Sequence, residues 1–217
     1  MKIYFDGCSW TQGAELENPE EERFSRLICN ELGAEETNLG VGGGSNDRII
    51  RNLLVENNIE EYDLAVIQMT LPARTEYLKE MGMKTRWIKV NPKTNYTEWL
   101  YTDSNKENMP ELRDNKFDYY TQEDGHTSFW RHYYKNITNL KYFSIKENIQ
   151  LQTIRNHCEV KGVPLILCSI NKWSRLNFDY IMKVNFETRA KKGHPNRLGH
   201  QKIAKNLKKH DILQYFY

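Results

Sequence analysis

Ser9 lies in Gly7-Cys8-Ser9-Trp10-Thr11-Gln12-Gly13, directly after a short apolar-leaning run, Lys2 to Phe5, that ends at Asp6. A run of that kind broken by glycine is the pattern of a buried strand followed by a tight turn. A hydroxyl placed there stands exposed at a sheet edge. Serine is a weak nucleophile until a base takes its proton, and His, Asp, Glu or Lys are the side chains able to do so. Standing alone, the same serine also reads as an N-cap or turn residue. Three more polar clusters occupy comparable places: Gly40 to Asp47, Thr70 to Glu76, and His194-Pro195-Asn196.

Those clusters need elements to hold them. Phe24, Leu27, Ile28 and Leu32 repeat at helical spacing, with Gly33 placed as a C-cap. Thr37 to Leu39 predicts a second short strand, and Ser45 or Asn46 an N-cap for a helix carrying Ile49, Ile50, Leu53 and Leu54. Leu64 to Met69 and Pro164 to Ile170 are continuous apolar runs, the pattern of strands buried on both faces. A helix from about Ser144 to Val160 precedes the second run, with Ile145, Ile149, Ile154 and Cys158 as candidate core positions. A last helix, Gly199 to Leu207, would bury Ile203, Ala204 and Leu207. Strands alternating with helices predict an α/β fold with a parallel sheet, and ligands in such sheets sit beyond the carboxyl ends of the strands.

The segment from Leu78 to about Thr127 interrupts this rhythm. It is polar, yet it carries Trp87, Tyr96, Trp99, Tyr101, Phe117, Tyr119 and Tyr120. A structureless loop of that length is uncommon in a compact domain. It reads as a β-rich subdomain with its own aromatic core, or as a lid whose rings stack on a substrate. We treat 78–127 as an insertion or lid within one domain spanning 1–217.

Composition narrows the class. The 217 residues include 31 basic and 29 acidic side chains, a net +2, which gives no electrostatic case for nucleic acid as a partner. Aromatic residues at 12% argue against a disordered chain. No stretch approaches the ~20 apolar residues of a membrane helix. The N-terminus turns polar at Asp6, too early for a signal peptide. Cys8, Cys29, Cys158 and Cys168 are widely spaced, as free thiols in a reducing compartment would be, so a soluble cytoplasmic protein is expected. His126, His132 and His157 show no ligand spacing, and His200 reads as structural or surface, so neither metal nor cofactor is expected. Oligomeric state is left open.

The order Gly7-x-Ser9-x-Thr11-x-Gly13 resembles the first sequence block of the GDSL, or SGNH, hydrolases. Asn38-Leu39-Gly40-Val41-Gly42-Gly43 is similar to their second block, and His194-Pro195-Asn196-Arg197-Leu198-Gly199-His200 to their last. The resemblance implies a three-layer α/β/α, flavodoxin-like architecture. It implies Ser9 as nucleophile and His194 as general base. The backbone N–H groups of Ser9 and Gly43 would face the oxyanion, a role in which each donor contributes roughly 3 kcal/mol.

Three positions depart from the family pattern. Cys8 stands where an aspartate is usual. Lys191 stands three residues before the histidine, where the family carries its acid, so either a Ser9–His194 dyad operates or another carboxylate such as Glu187 reaches in. Pro72 replaces the asparagine of the Gly-x-Asn-Asp block, removing a side-chain oxyanion donor. Ser45-Asn46, Thr70 and Arg74-x-Glu76 together resemble a phage-encoded variant of the superfamily, which would work in the host cytoplasm. In that variant pattern Asn46 or Thr70 replaces the donor, and Arg74 either binds an anionic or polar substrate group or pairs with Glu76. The expected activity is hydrolysis of a small or carbohydrate ester such as an O-acetyl group, without a membrane partner. Two alternatives stand beside it: a catalytically degenerate glycan- or protein-binding module, and a nucleotide- or phosphate-binding protein using Gly40 to Asp47 near the basic stretch Lys202 to Lys209.

Overall fold

The computed structural model describes residues 1–81, 84–90, 132–138, 140–170, 174 and 176–209. Strands β1 (Lys2–Asp6), β2 (Glu35–Asn38), β3 (Leu64–Met69), β6 (Leu165–Ser169) and β7 (Tyr180–Ile181) form one five-stranded sheet in the order β2-β1-β3-β6-β7. All of its pairings are parallel. Strands β4 (Thr75–Met81) and β5 (Lys84–Val90) form a separate antiparallel hairpin. It covers the start of the 78–127 segment, whose remainder, including Tyr96, Trp99, Tyr101, Phe117, Tyr119, Tyr120 and His126, lies outside the described residues.

Side chains alternate with the strand period of two. Ile3, Phe5, Leu64, Val66, Ile166 and Cys168 pack on one face against Phe24 and Ile28 of α3 (Phe24–Leu32) and Ile203, Ala204 and Leu207 of α6 (Arg197–Leu207). Tyr4, Ala65, Ile67, Met69 and Leu167 pack on the other against Ile49 of α4 (Asn46–Arg51) and Leu151, Ile154 and Cys158 of α5 (Leu140–Val160). Helices cover both faces, which is why every residue of β3 is buried and all but Gln68 are apolar. Each fully buried Leu or Ile contributes about 1.5–3 kcal/mol.

The caps fall where short polar residues predict them. The Ser45 hydroxyl accepts the Arg48 N–H at 3.2 Å, the Asn196 side-chain Oδ1 accepts the Gly199 N–H at 2.9 Å, and Gly33 ends α3 with φ +61°. The register of α5 differs from expectation. Ile145 and Ile149 are 51% and 62% exposed, whereas Phe143, Glu147, Gln150, Leu151, Ile154 and Cys158 form the buried face. Two polar residues on that face conceal it from a count of apolar side chains.

Counting the sheet strands in chain order gives 2-1-3-4-5, the flavodoxin-like arrangement. Strand order reverses between β1 and β3, the switch point at which open sheets of this kind bind their ligands. The turns that follow β1, β2 and β3 all emerge beside it.

Candidate active site

A four-residue helix, α1 (Ser9–Gln12), begins two residues after β1. Gly7 makes the connection because a Cβ there would sit 2.2 Å from the Thr11 hydroxyl and 2.8 Å from Gln68 Oε1. Beneath the turn, buried Asp6 accepts from Gly7 N–H at 2.7 Å, Arg48 at 2.9 Å and Asn52 at 2.8 Å. Ser9 is thereby lifted to the sheet edge, where it is 8% exposed.

The Ser9 hydroxyl lies 2.9 Å from His194 Nε2. On the other side of the ring, His194 Nδ1 lies 2.6 Å from Glu15 Oε2. A carboxylate only accepts, so Nδ1 carries the proton and the Nε2 lone pair faces the hydroxyl. Glu15 also accepts the Lys192 N–H at 2.7 Å and the His194 N–H at 3.3 Å. Partial burial alone would raise the Glu15 carboxyl, but these bonds outweigh it and hold the group below the usual glutamate range. It is therefore ionised at neutral pH.

The backbone makes this reach possible. The chain leaves α1 through Gly13 at φ +84° and Glu15 at φ +70°. A left-handed conformation costs a non-glycine residue roughly 1–2 kcal/mol, so Glu15 is held in place by its surroundings. The turn bearing His194 is closed by Ala190 N–H donating to His194 C=O at 2.8 Å and Gly193 N–H to Ala190 C=O at 3.0 Å.

Glu187, the carboxylate offered as an alternative to a Ser9–His194 dyad, lies elsewhere. Its side chain is largely exposed, 3.9 Å from Lys202, and only its backbone carbonyl serves the region, accepting from Asn196 at 2.8 Å. The carboxylate beside His194 Nδ1 is that of Glu15. Lys191 is exposed.

The glycine loop after β2 crosses the start of α1. A Cβ on Gly40 would lie 2.6 Å from Gln12 N, and one on Gly44 would lie 3.1 Å from Gly7 O. Most of its N–H groups are engaged: Gly40 donates to Asn38 Oδ1 at 2.9 Å, Val41 to Gly7 O at 3.3 Å and Gly44 to Val41 O at 2.9 Å. Among the described residues, nothing accepts from the N–H of Gly43, at φ +69°, or from that of Ser9 at the first position of α1. Unused N–H donors at the start of a helix and in a glycine turn suit a developing negative charge.

Beyond β3, Asn46 and Thr70 are closed off from solvent. Asn46 Oδ1 accepts the Thr70 N–H at 2.7 Å, and Asn46 Nδ2 donates to Thr70 O at 3.2 Å and to Gln150 Oε1 at 3.1 Å. Its amide is fully spent on locking the turn after β3. Thr70 Oγ1 accepts from Arg74 Nη1 at 2.7 Å. Arg74 makes no pair with Glu76, which is bound by Arg51 at 2.7 Å. Pro72 is buried.

The sequence matches no protein-family model and no curated protein. Among solved structures, the psychrotrophic esterase EstA from Pseudoalteromonas sp., in a form inhibited by monoethylphosphonate, superposes with a TM-score of 0.53 at 9% identity, over 99% of this chain and 97% of that one. A protein from Desulfitobacterium hafniense assigned to the G-D-S-L family of lipolytic proteins gives 0.52 at 10% identity, over 95% and 97%. The fold is that of the GDSL-type esterases. Identities this low show the GDSL-type fold and no more.

Within that fold, two residues close to Ser9 went unnoticed in the sequence. Gln68 Oε1 accepts from Cys8 N at 3.2 Å, Cys8 Sγ at 3.3 Å and Thr11 Oγ1 at 3.0 Å, so the strand beside β1 pins the Ser9 turn. Glu15 is the other. His200 is structural, as expected: it is buried, stacks on Phe24 with ring centroids 5.9 Å apart, and accepts the Phe24 N–H at 3.1 Å. Burial, with His194 nearby, pushes His200 down to about 4 and keeps it neutral. Among the described residues, no helix is long and apolar enough to cross a membrane, and no group of His, Cys, Asp or Glu could hold a metal.

Proposed function

We propose that the protein is a serine ester hydrolase that works through an acyl-enzyme on Ser9. The observation that carries this reading is the continuous chain Ser9 Oγ, His194 Nε2, His194 Nδ1, Glu15 Oε2, with links of 2.9 and 2.6 Å. His194 takes the hydroxyl proton as Oγ attacks the ester carbonyl. Glu15 fixes the tautomer and stabilises the imidazolium. The N–H groups of Ser9 and Gly43 receive the oxyanion. As the tetrahedral intermediate collapses, His194 returns the proton to the departing alcohol. Water, deprotonated by the same histidine, then attacks the acyl group and frees Ser9.

A carbohydrate ester such as an O-acetyl sugar is the proposed substrate class. It rests on the resemblance of the sequence blocks and on the aromatic residues of the 78–127 insertion, whose flat faces suit sugar rings. The test is labelling by a fluorophosphonate probe together with acetate release from a panel of acetylated sugars. A labelled Ser9 and acetate release lost in Ser9→Ala would support the reading. An unlabelled wild type that releases no acetate would replace it with a binding module.

A further inference from the structure

Arginines around the candidate site are paired with carboxylates: Arg48 with Asp6 at 2.9 Å, Arg51 with Glu76 at 2.7 Å, Arg23 and Arg26 with Glu36 at 2.9 and 2.7 Å. Arg74 differs. It is only 9% exposed, and no carboxylate among the described residues pairs with it. Asp47, close by in the fold, is already taken by Lys146 at 2.9 Å, Gln150 at 2.7 Å and Thr75 at 2.5 Å.

The guanidinium is aimed rather than free. Nη1 is held by Thr70 Oγ1 at 2.7 Å and by Gly44 O at 3.5 Å. Nε is enclosed without a partner, and Nη2 makes no hydrogen bond to a described residue. Gly44 packs on Gly7, two residues before Ser9, so the charge lies on the nucleophile's side of the sheet edge. Thr70 and Asn46 are fully covered, so of these three polar side chains Arg74 alone keeps any access to solvent.

An enclosed cation with no counter-ion is costly, because removing one charge from water is not repaid until an opposite charge arrives. The planar fork of arginine is matched to carboxylate oxygens. We propose that Arg74 receives a carboxylate carried by the substrate, making the preferred ester an O-acylated acidic sugar. This rests on the esterase reading above and narrows its substrate class.

The experiment compares an O-acetylated methyl glucoside with the corresponding O-acetylated methyl glucuronide. The wild type should favour the glucuronide by about tenfold or more in kcat/KM, mainly through KM, as one new ion pair would give. Raising ionic strength from about 0.05 to about 0.5 M should narrow that ratio. Arg74→Met should bring the ratio near one, and Arg74→Lys should keep part of it. A wild-type ratio near one overturns the proposal. So does a ratio unchanged in Arg74→Met with both esters slowed alike, which would make the guanidinium an oxyanion donor. If Arg74→Met does not fold, the wild-type ratio and its salt response decide. Failure of the esterase reading is separate: Ser9 would then take no fluorophosphonate at all.

Discussion

The two flanks of Ser9 are built differently. On the base flank, the Ser9 hydroxyl at the start of α1 is joined end to end with two groups on surface turns, the His194 ring and the Glu15 carboxylate. On the oxyanion flank, Gly44, Asn46, Thr70 and Arg74 are buried and cross-linked to one another and, through Gln150, to α5. Each flank departs from the family pattern, at Lys191 and at Pro72. On the base flank the proposed triad makes the loss good through Glu15, because an orienting acid needs only one oxygen at Nδ1 and any segment within reach can supply it. The oxyanion flank has no such freedom. Its proposed donors are the backbone N–H groups of Ser9, at the start of α1, and of Gly43, in a loop held against that helix by the close packing of Gly7, Gly40 and Gly44.

The largest effects should come from the nucleophile and base. Ser9→Ala and His194→Ala are each expected to lower kcat by on the order of 10^4-fold or more, with the double variant scarcely worse than either. Removing one member already idles the other. Losses that multiply in the double variant would mean the two act independently, and the base flank would no longer be a unit.

Next comes the acid. Glu15→Gln keeps the size of the side chain but allows the wrong histidine tautomer, so kcat should fall roughly 10^2- to 10^4-fold. Because Glu15 lies at the surface, its loss should change unfolding free energy by about 1 kcal/mol or less. A rate unchanged in Glu15→Gln would return the site to a dyad.

Asn46→Ala should show the reverse balance. It takes the Asn46 partner from the Thr70 N–H, the Thr70 carbonyl and Gln150 Oε1, at a cost of about 2–4 kcal/mol in urea unfolding. Activity per folded molecule should fall by less than in Glu15→Gln. If Asn46→Ala is as stable as wild type but far slower, the oxyanion flank is a catalytic device rather than a scaffold.

Most of the fold was legible in the sequence because strands buried on both faces and well-capped helices write their pattern locally. The register of α5 was not. Ile145 and Ile154 are nine positions apart, half a turn out of phase, so the expected core positions could not all share one face. The true face includes Glu147 and Gln150, whose burial is set by neighbouring elements. Ser9, Gly43 and His194 stood out because glycine turns and a histidine before a capped helix are short-range signals. Glu15 did not. Glu15-Leu16-Glu17 reads as an exposed acidic turn, and nothing local reveals a left-handed residue that turns its carboxylate toward a loop 179 positions away.

That blind spot yields the smallest effect and the sharpest check on the comparison. From the sequence alone, Lys191→Asp should rebuild the missing triad and raise the rate. In the structure Nδ1 of His194 is already taken by Glu15, and Lys191 points to solvent with its backbone in the same turn. A second carboxylate there would find the position filled and meet a like charge. The expected change in kcat/KM is therefore within about threefold, since exposed charges contribute little. The outcome should differ in a Glu15→Gln background, where Nδ1 lacks its carboxylate. There Lys191→Asp should recover part of the lost rate, because the acid's role depends on the oxygen and not on the segment that brings it. A tenfold gain in the wild-type background would instead show that Glu15 leaves the histidine under-supported, and that the acid of the base flank is as constrained in position as the donors opposite.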